Sequence, residues 1–438
     1  MKSSSSAAAA AAAGCLDHSL SVEEKAQHLY RGVALGPMVR ASTTPLRIQA
    51  LTYGADFCYT EELVDRAVTG TIRQVNTILG TVDYVKDTSH QSEKVKRRLA
   101  NSGPALFLRI NHSKERGKLV CQLGTGEPEF ALPAAQHVCQ DIDAIDINMG
   151  CPKKFSISGG MGSALLDDPD RASRILRTLR NGLPETPVSC KIRLLKSTQA
   201  TLDFCHAMVN AGALAIAIHA RTIHHEATQA ADWKTLKEVV PLLKAKYPSV
   251  PVLVNGDFYT RQEWMNVMND TGANGVLLAR PALYNMSLFK QPTPEQAGPF
   301  GYDSPLLLDK TTVIQDYLKE CVRYEMHYKN VKYNLCEMMT HRRAPISRVN
   351  DLPQTYTGGQ TIAKVSSCHS IEELCKVWDV KASFSNKVTT TPSLPAGDHR
   401  YEDSYLLKLG EEKKASEDDE PLAKRNKTER EGRVLDEF

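Results

Sequence analysis

Ala144–Ile192 reads AIDI, then NMGCPKKFSISGGMGSALLDD, then PDRASRILRTLR, then NGLPETP and VSCKI. AIDI (Ala144–Ile147) and VSCKI (Val188–Ile192) are short apolar runs suited to buried strands. PDRASRILRTLR (Pro169–Arg180) is amphipathic, of helix length, and opens on a proline. Two buried strands separated by a helix form a parallel pair with a crossover helix. Outward from this unit the same rhythm recurs at Gly32–Leu35 (GVAL), Phe57–Tyr59 (FCY), Leu119–Leu123 (LVCQL), Ala215–Ile218 (AIAI), Val252–Val254 (VLV) and Gly275–Ala279 (GVLLA). Eight such runs over about 260 residues match the size of an α/β fold of the (β/α)8 TIM-barrel type. A ninth run, Leu106–Ile110, is expected to pair with Leu119–Leu123 as a hairpin decoration. A doubly wound open sheet would want G-x-G-x-x-G after its first strand, and Leu35–Arg40 (LGPMVR) lacks it.

The remaining sequence divides around this barrel. Of 438 residues 42% are hydrophobic and 24% charged, ordinary globular values that exclude wholesale disorder and collagen-like repeats. No apolar run reaches the ~20 residues of a membrane helix. A net charge of +3 does not by itself mark a nucleic-acid binder, and eleven cysteines without a C-x-x-C pair argue for a reducing compartment and against a zinc ribbon or Fe–S cluster. Residues 1–24 begin with an alanine run that could serve as a signal peptide ahead of a lipid-bearing Cys15. Its weak hydrophobicity and lack of leucine favour a disordered tail. Residues 25–300 hold the barrel. Residues 301–380 are expected to form a C-terminal helical domain in which Tyr317, Tyr324, Tyr328 and Tyr333 alternate with Lys319, Arg323, Lys329, Lys332, His341, Arg342, Arg343 and Arg348. That composition suits a polyanion surface, although inward tyrosines beside an ordinary wet face would read the same. Residues 381–438 are a second charged tail. Within it Lys424, Arg425 and Lys427 are a weak nuclear signal or a solvated charge run. The expected location is the cytoplasm, with the nucleus as a second site.

In a barrel of this type the catalytic groups lie at the C-terminal strand ends. Those ends carry Pro37-Met38, Glu61-Glu62, Gln122, then Asp146, Asn148 and Cys151, then Lys191 and Arg193, His219 and Arg221, Asn255-Gly256-Asp257, and Ala279-Arg280. The last two loops are where such barrels hold a phosphate, through close backbone and a cation such as Arg280. Lys191 sits in a run otherwise fit for the interior, so it points outward, faces bound negative charge, or serves as a Schiff-base lysine. The most specific segment is Asp143–Gly162, DAIDINMGCPKKFSISGGMG. Cys151 lies there at a strand end beside Lys153. It is either a protonated thiol able to donate a proton or a thiolate nucleophile.

Together LGPMVR, YGADFCYTEEL, CQLGT, IDINMGCPKKFSISGGMGSALL, CKIR, IAIHAR, VNGD and LLARPAL resemble the tRNA-dihydrouridine synthases, most closely the eukaryotic branch acting on the D-loop uridine at position 20. The resemblance runs from about Gly32 to about Glu337. It implies an FMN-bearing barrel followed by a helical tRNA-binding domain, with tRNA as partner, no metal and no membrane. Pro37, Met38 and Val39 would then line the flavin through their backbone, with Gln122 and Lys191 at the polar edge of its ring. His219, Asn255, Gly256, Asp257, Ala279 and Arg280 would hold the ribityl phosphate. Cys151 would be the general acid, and Asn148, Lys153 and Arg193 would meet the flipped uridine or its phosphate. NADPH, or NADH, would reduce the flavin, which passes hydride to C6 of uracil while Cys151 protonates C5. Gly36 stands where the family usually has alanine, and Asp257 where a second glycine is common. Some animal members of this branch append a double-stranded-RNA-binding domain, and the stretch after Val380 is expected to be too short and too polar to form one. Two readings compete: an FMN barrel acting on a free pyrimidine, as dihydroorotate dehydrogenases do, and a non-catalytic RNA-binding barrel.

Overall fold

The computed structural model describes residues 19–89, 105–291, 308–340 and 359–381, all within one unit of the chain. Eight parallel strands close into a barrel: β1 (Gly32–Leu35), β2 (Phe57–Val64), β6 (Leu119–Gly124), β7 (Ala144–Met149), β8 (Val188–Arg193), β9 (Ile216–His219), β10 (Val252–Asn255) and β11 (Gly275–Leu278). They are the eight runs read from the sequence. Neighbours follow chain order, and β1 closes the ring by pairing with both β2 and β11.

Strand side chains alternate between two environments. Ala34, Phe57, Tyr59, Val120, Ala144, Ala217, Leu253 and Leu277 form an interior cluster, whereas Val33, Leu35, Ile145, Ile147, Cys190 and Ile192 join the larger layer between strands and helices. The helix Pro169–Gly182 shows how that layer is built. Asp168 caps it by accepting the Arg171 N–H at 3.0 Å, Pro169 occupies the first turn, and Ala172, Ile175, Leu176 and Leu179 are buried. Truncating Leu176 to alanine would cost about 2–5 kcal/mol through lost burial and a cavity.

The described residues include a helix that starts before residue 25, the expected start of the barrel. The helix Val22–Leu29 starts on a capping box in which Ser21 and Glu24 satisfy each other's backbone N–H groups. Its Ala26 and Leu29, with Tyr30, pack into the interior cluster and fill the N-terminal end of the barrel. The Tyr30 ring stands edge-on to Phe57 at 5.8 Å, and its hydroxyl donates to Ser189 Oγ at 2.8 Å.

One expected pairing is corrected. Leu106–Ile110 (β5) does not pair with Leu119–Leu123. It is the third strand of an antiparallel sheet with β3 (Thr71–Asn76) and β4 (Thr81–Lys86). After Ile110 the chain turns into the short helix His112–Glu115, where Glu115 accepts the Asn111 N–H at 2.7 Å and is buried against Arg47 at 2.6 Å. That turn leads away from β5 instead of folding back on it. Arg109 then grips Asp83 of β4 with two bonds of 2.7 Å.

Beyond the barrel the described residues contain the helices Lys310–Arg323, Tyr328–Met338, Ile362–Ser366 and Ile371–Val377, and no strand. The first is tied to barrel helix Thr44–Tyr53 by Gln49 Nε2 donating to the Val313 carbonyl and Tyr53 Oη donating to Asp316, each at 2.7 Å. The basic aromatic stretch is divided between inside and outside. Tyr317 and Tyr324 are buried and Lys332 donates inward to the carbonyls of Ser366 and Cys368, while Lys319, Arg323 and Lys329 are exposed. His341, Arg342, Arg343 and Arg348 lie outside the described residues, as do residues 1–18 and 382–438 of the two tails. Among the described residues no helix is long and apolar enough to cross a membrane, and no His/Cys/Asp/Glu group could hold a metal.

Candidate active site at the barrel mouth

The interior changes character toward the C-terminal strand ends. Ascending from the alanine and leucine layers, the inward positions become Gln122, Asp146 and Asn148, then Ser189, Lys191 and Arg193, then His219 and Asn255. The parallel register sets Gln122 beside Asp146, Asn148 beside Lys191, and Arg193 beside His219, which in turn lies beside Asn255. Polar side chains therefore converge because each strand continues its two-residue alternation past the apolar layers. Ser189 Oγ donates to Asp146 at 2.7 Å, Gln122 Nε2 donates to the other carboxylate oxygen at 2.8 Å, and Asn148 Nδ2 reaches Gln122 Oε1 at 3.4 Å.

Cys151 is fixed by the strand it follows. Asn148 Oδ1 accepts the N–H groups of Gly150 and Cys151 at 2.9 and 3.0 Å, and the Cys151 carbonyl accepts from Ser163 at 3.0 Å. Gly162, at φ 59°, lets the returning loop pass: a Cβ there would stand 2.7 Å from the Cys151 carbonyl oxygen and 3.0 Å from its Cβ. Burial pushes the Cys151 thiol up to about 12, with the nearby Glu62 carboxylate adding to the shift. The choice left open between thiol and thiolate falls to the thiol, an acid rather than a resting nucleophile. Lys153 is exposed and does not reverse this.

Glu62 itself is pushed up to about 7 by burial, against opposing interactions with Cys151, Asn148 and Lys191. Its Oε1 has no hydrogen-bond partner, and it lies so close to Gly124 that a Cβ there would come within 2.7 Å. Asp146, deeper in the barrel, is pushed up to about 6, also by burial. Lys191 is pushed down to about 8, chiefly by burial and then by Arg193.

Across the mouth, Arg193 donates to the carbonyls of Gly150 and Thr222 at 2.7 and 2.8 Å. Arg221 pairs with Asp257 and lies 3.3 Å from His219 Nε2. Arg280 donates to Asp257 and to the Ala227 carbonyl, each at 2.7 Å. Burial, and then the surrounding cations, hold His219 well below its ordinary value, so its ring is neutral. Arg193 is lowered to about 10 by burial and by Arg221 and Arg280. Gly256, at φ 148°, brings the backbone close, since a Cβ would meet those of Ala220 and Ala231 at 3.0 Å. Asn255 Nδ2 donates to the Leu277 carbonyl at 2.8 Å, and Ala279 immediately precedes Arg280 after β11.

A family model described as dihydrouridine synthase (Dus) matches residues 33–350, most of the chain. The chain belongs to the dihydrouridine synthase family. It is 32% identical over 369 residues to the Schizosaccharomyces pombe tRNA-dihydrouridine(20) synthase (NAD(P)+), covering 83% of this chain and 68% of that protein. Against the Saccharomyces cerevisiae protein of the same name it is 31% identical over 314 residues, 70% of this chain and 77% of that one. A human tRNA-dihydrouridine(20a/20b) synthase (NAD(P)+)-like protein is 29% identical over 258 residues, 58% of this chain and 69% of that protein.

Within this dihydrouridine synthase family member, most of the expected site residues share one mouth: Gln122, Asn148, Cys151, Lys191, Arg193, His219, Asn255, Gly256, Asp257, Ala279 and Arg280 lie at consecutive strand ends. Pro37, Met38 and Val39 follow β1 at the same end. The Met38 N–H donates to Ser42 Oγ at 3.0 Å and its carbonyl accepts from Ala41 and Ser42, so Met38 offers a packed backbone surface and not a donor. The carboxylate of Asp257 is likewise committed, to Arg221 and Arg280. Arg221, Glu62 and Asp146 stood at strand ends in the sequence, but nothing there assigned them a partner.

Proposed function

We propose that this protein reduces the C5=C6 bond of a D-loop uridine in tRNA, at position 20, to 5,6-dihydrouridine, with FMN as cofactor and NAD(P)H as reductant. The observation that carries this reading is a cysteine held as a thiol at one side of a barrel mouth whose other side gathers cations. Beyond burial, Arg193 lowers the pKa of Lys191, Arg221 and Arg280 lower that of Arg193, and Arg280 lowers that of Arg221, while the one carboxylate of Asp257 pairs with both Arg221 and Arg280. A dianionic phosphate relieves that repulsion, and the bare backbone of Gly256 admits it closely, so the residues fit the phosphate of FMN. Gln122 and Lys191, one layer deeper, present donors where the polar edge of a flavin ring would lie.

Bound at this mouth, FMN supplies the hydride that reaches C6 of the uracil. The chain's own residues handle the proton. Cys151 Sγ gives its proton to C5, and Asn148 Oδ1 holds the Cys151 backbone N–H in place while this occurs. Burial, and then the Glu62 carboxylate, keep the thiol protonated until a stronger base arrives, as the developing carbanion does. Arg193, anchored by two carbonyls, stands between the thiol and the phosphate side and is placed to orient the uridine nucleotide. Exposed Lys319, Arg323 and Lys329 give the helical extension a surface for tRNA phosphates.

The test is one cuvette. Purified protein carrying a visible flavin spectrum is bleached with NADPH, then given unmodified tRNA or free uridine. Recovery of the flavin absorbance with tRNA alone supports the reading. Recovery with free uridine or uracil alone overturns it in favour of a small-pyrimidine reductase, and a protein that cannot take up FMN overturns it in favour of a non-catalytic barrel.

A further inference from the structure

The loop that follows β1 is held from outside the barrel. Its turn runs from Gly36 to Ser42: Ser42 Oγ donates to the Gly36 carbonyl at 2.9 Å, and the Met38 carbonyl accepts Ala41 and Ser42 N–H groups at 3.1 and 2.9 Å. At its exit Arg40 adopts φ 66°, the left-handed region that a residue with a branched-off side chain rarely occupies unless its surroundings enforce it. Both backbone polar groups of Arg40 are claimed by side chains. Its N–H donates to Glu61 Oε1 on β2. Its carbonyl accepts from Asn330 Nδ2 at 2.8 Å and Asn334 Nδ2 at 3.2 Å, both from the helix Tyr328–Met338.

Those two asparagines are an unusual use of a helix. They lie four residues apart and so share one face. They are 3% and 0% exposed, in a position where leucine would pack without a polar group to satisfy. Asn334 Nδ2 also reaches Tyr317 Oη at 2.8 Å and Asn330 Oδ1 at 3.3 Å, while its own Oδ1 has no partner. The same helix carries Tyr333, whose ring lies 5.7 Å from the Arg40 guanidinium. Packing alone does not call for buried amides here. A carbonyl that must be held in one place does.

We propose that Asn330 and Asn334 are positioning residues of the cofactor site: through the Arg40 carbonyl, the helical extension sets the shape of Pro37-Met38-Val39 against which the flavin lies. This rests on the reading of the barrel mouth as an FMN site. The extension then supports one loop of the cofactor site and is not only a tRNA platform.

The experiment measures FMN binding, not turnover. Apo-protein is titrated with FMN by quenching of flavin fluorescence, at a temperature where far-UV circular dichroism shows each variant fully folded, and the visible circular dichroism of the bound flavin is recorded. The double variant Asn330→Leu/Asn334→Leu fills the space but removes both donors. Expected are an affinity weakened about tenfold or more and altered flavin bands, with a melting temperature unchanged or raised. Wild-type affinity together with wild-type bands in the folded double variant overturns the inference alone. Wild-type protein that binds no FMN overturns the reading of the mouth and the inference with it. Should the double variant not fold, Asn330→Ala carries the test: about threefold weaker binding with shifted bands supports the proposal, and unchanged binding and bands overturn it.

Discussion

The two sides of the barrel mouth are buried alike and charged oppositely. On the β2–β7 side stand Glu62, Asp146 and Cys151; on the β8–β11 side stand Lys191, Arg193, His219, Arg221 and Arg280. Burial is the first cause of the shift on both sides: it drives Glu62, Asp146 and Cys151 up and Lys191, Arg193, His219 and Arg221 down, each toward neutrality. What distinguishes the sides is the second cause. The acidic side raises the thiol further with a carboxylate, which reserves a proton. The basic side lowers its cations further with one another, which reserves a place for an anion. On the proposed function, one desolvated pocket thus separates proton handling from phosphate and flavin handling by the sign of its residual repulsion.

That separation can be broken most directly at Cys151. Cys151→Ala should lose ~10²–10⁴-fold in turnover, the usual contribution of a general acid, while FMN and tRNA affinity stay near wild type; loss of flavin would show that the two sides are not independent. Lys191→Ala is the reciprocal probe, expected to weaken FMN binding by roughly 10–100-fold through a lost charged donor. Unchanged flavin affinity together with an unchanged rate of flavin reduction would remove Lys191 from the site.

Glu62→Gln sharpens the comparison from the acidic side. Without the neighbouring negative charge the Cys151 thiol should titrate lower, so its alkylation by iodoacetamide at pH 8 should be about tenfold faster for each unit of that drop. An unaltered rate would detach Glu62 from the thiol. The smallest effect is on stability. A carboxyl raised from 4.5 to about 7 leaves the folded protein holding more protons than the unfolded chain between those values, so its contribution to stability is present below pH 4.5 and is lost as pH rises through about 7. Glu62→Gln should therefore raise the melting temperature of the apo-protein by about 1–3 °C at pH 8 and leave it unchanged at pH 4, given the degrees-per-kcal scale of a chain this long. A rise at both values would point to packing and not charge.

The barrel was readable because its signals are local. Each buried strand is a short apolar run, several crossover helices have a side-chain cap and a buried face, as Pro169–Gly182 and Arg261–Thr271 do, and the strand ends bring their polar residues in order. The outer sheet was harder to see: β3 is an edge strand with Ile72 and Val75 exposed at 44% and 65%, so its alternation runs against the usual inside-outside sign. The hairpin expected at Leu106–Ile110 was misread for the same reason, since its true partner β4 had not been recognised. The site residues by position were legible, but their partnerships were not. Nothing near Arg280 or Asp257 in the chain announces Arg221 as their companion, and nothing near Arg40 announces Asn330 and Asn334, about 290 residues away. Those links are made by closure of the ring and by the return of the helical extension, both of which exist only in three dimensions.

The helix Val22–Leu29 has a kinetic consequence. By seating Ala26, Leu29 and Tyr30 in the N-terminal end of the barrel it turns a ring of strands into a cup. A cup has one rim. On the proposed function, the nicotinamide that delivers electrons and the uridine that receives them would both arrive over that rim and leave by it. Traffic with a single door runs by turns, so double-reciprocal plots at several tRNA concentrations should give parallel lines and not intersecting ones.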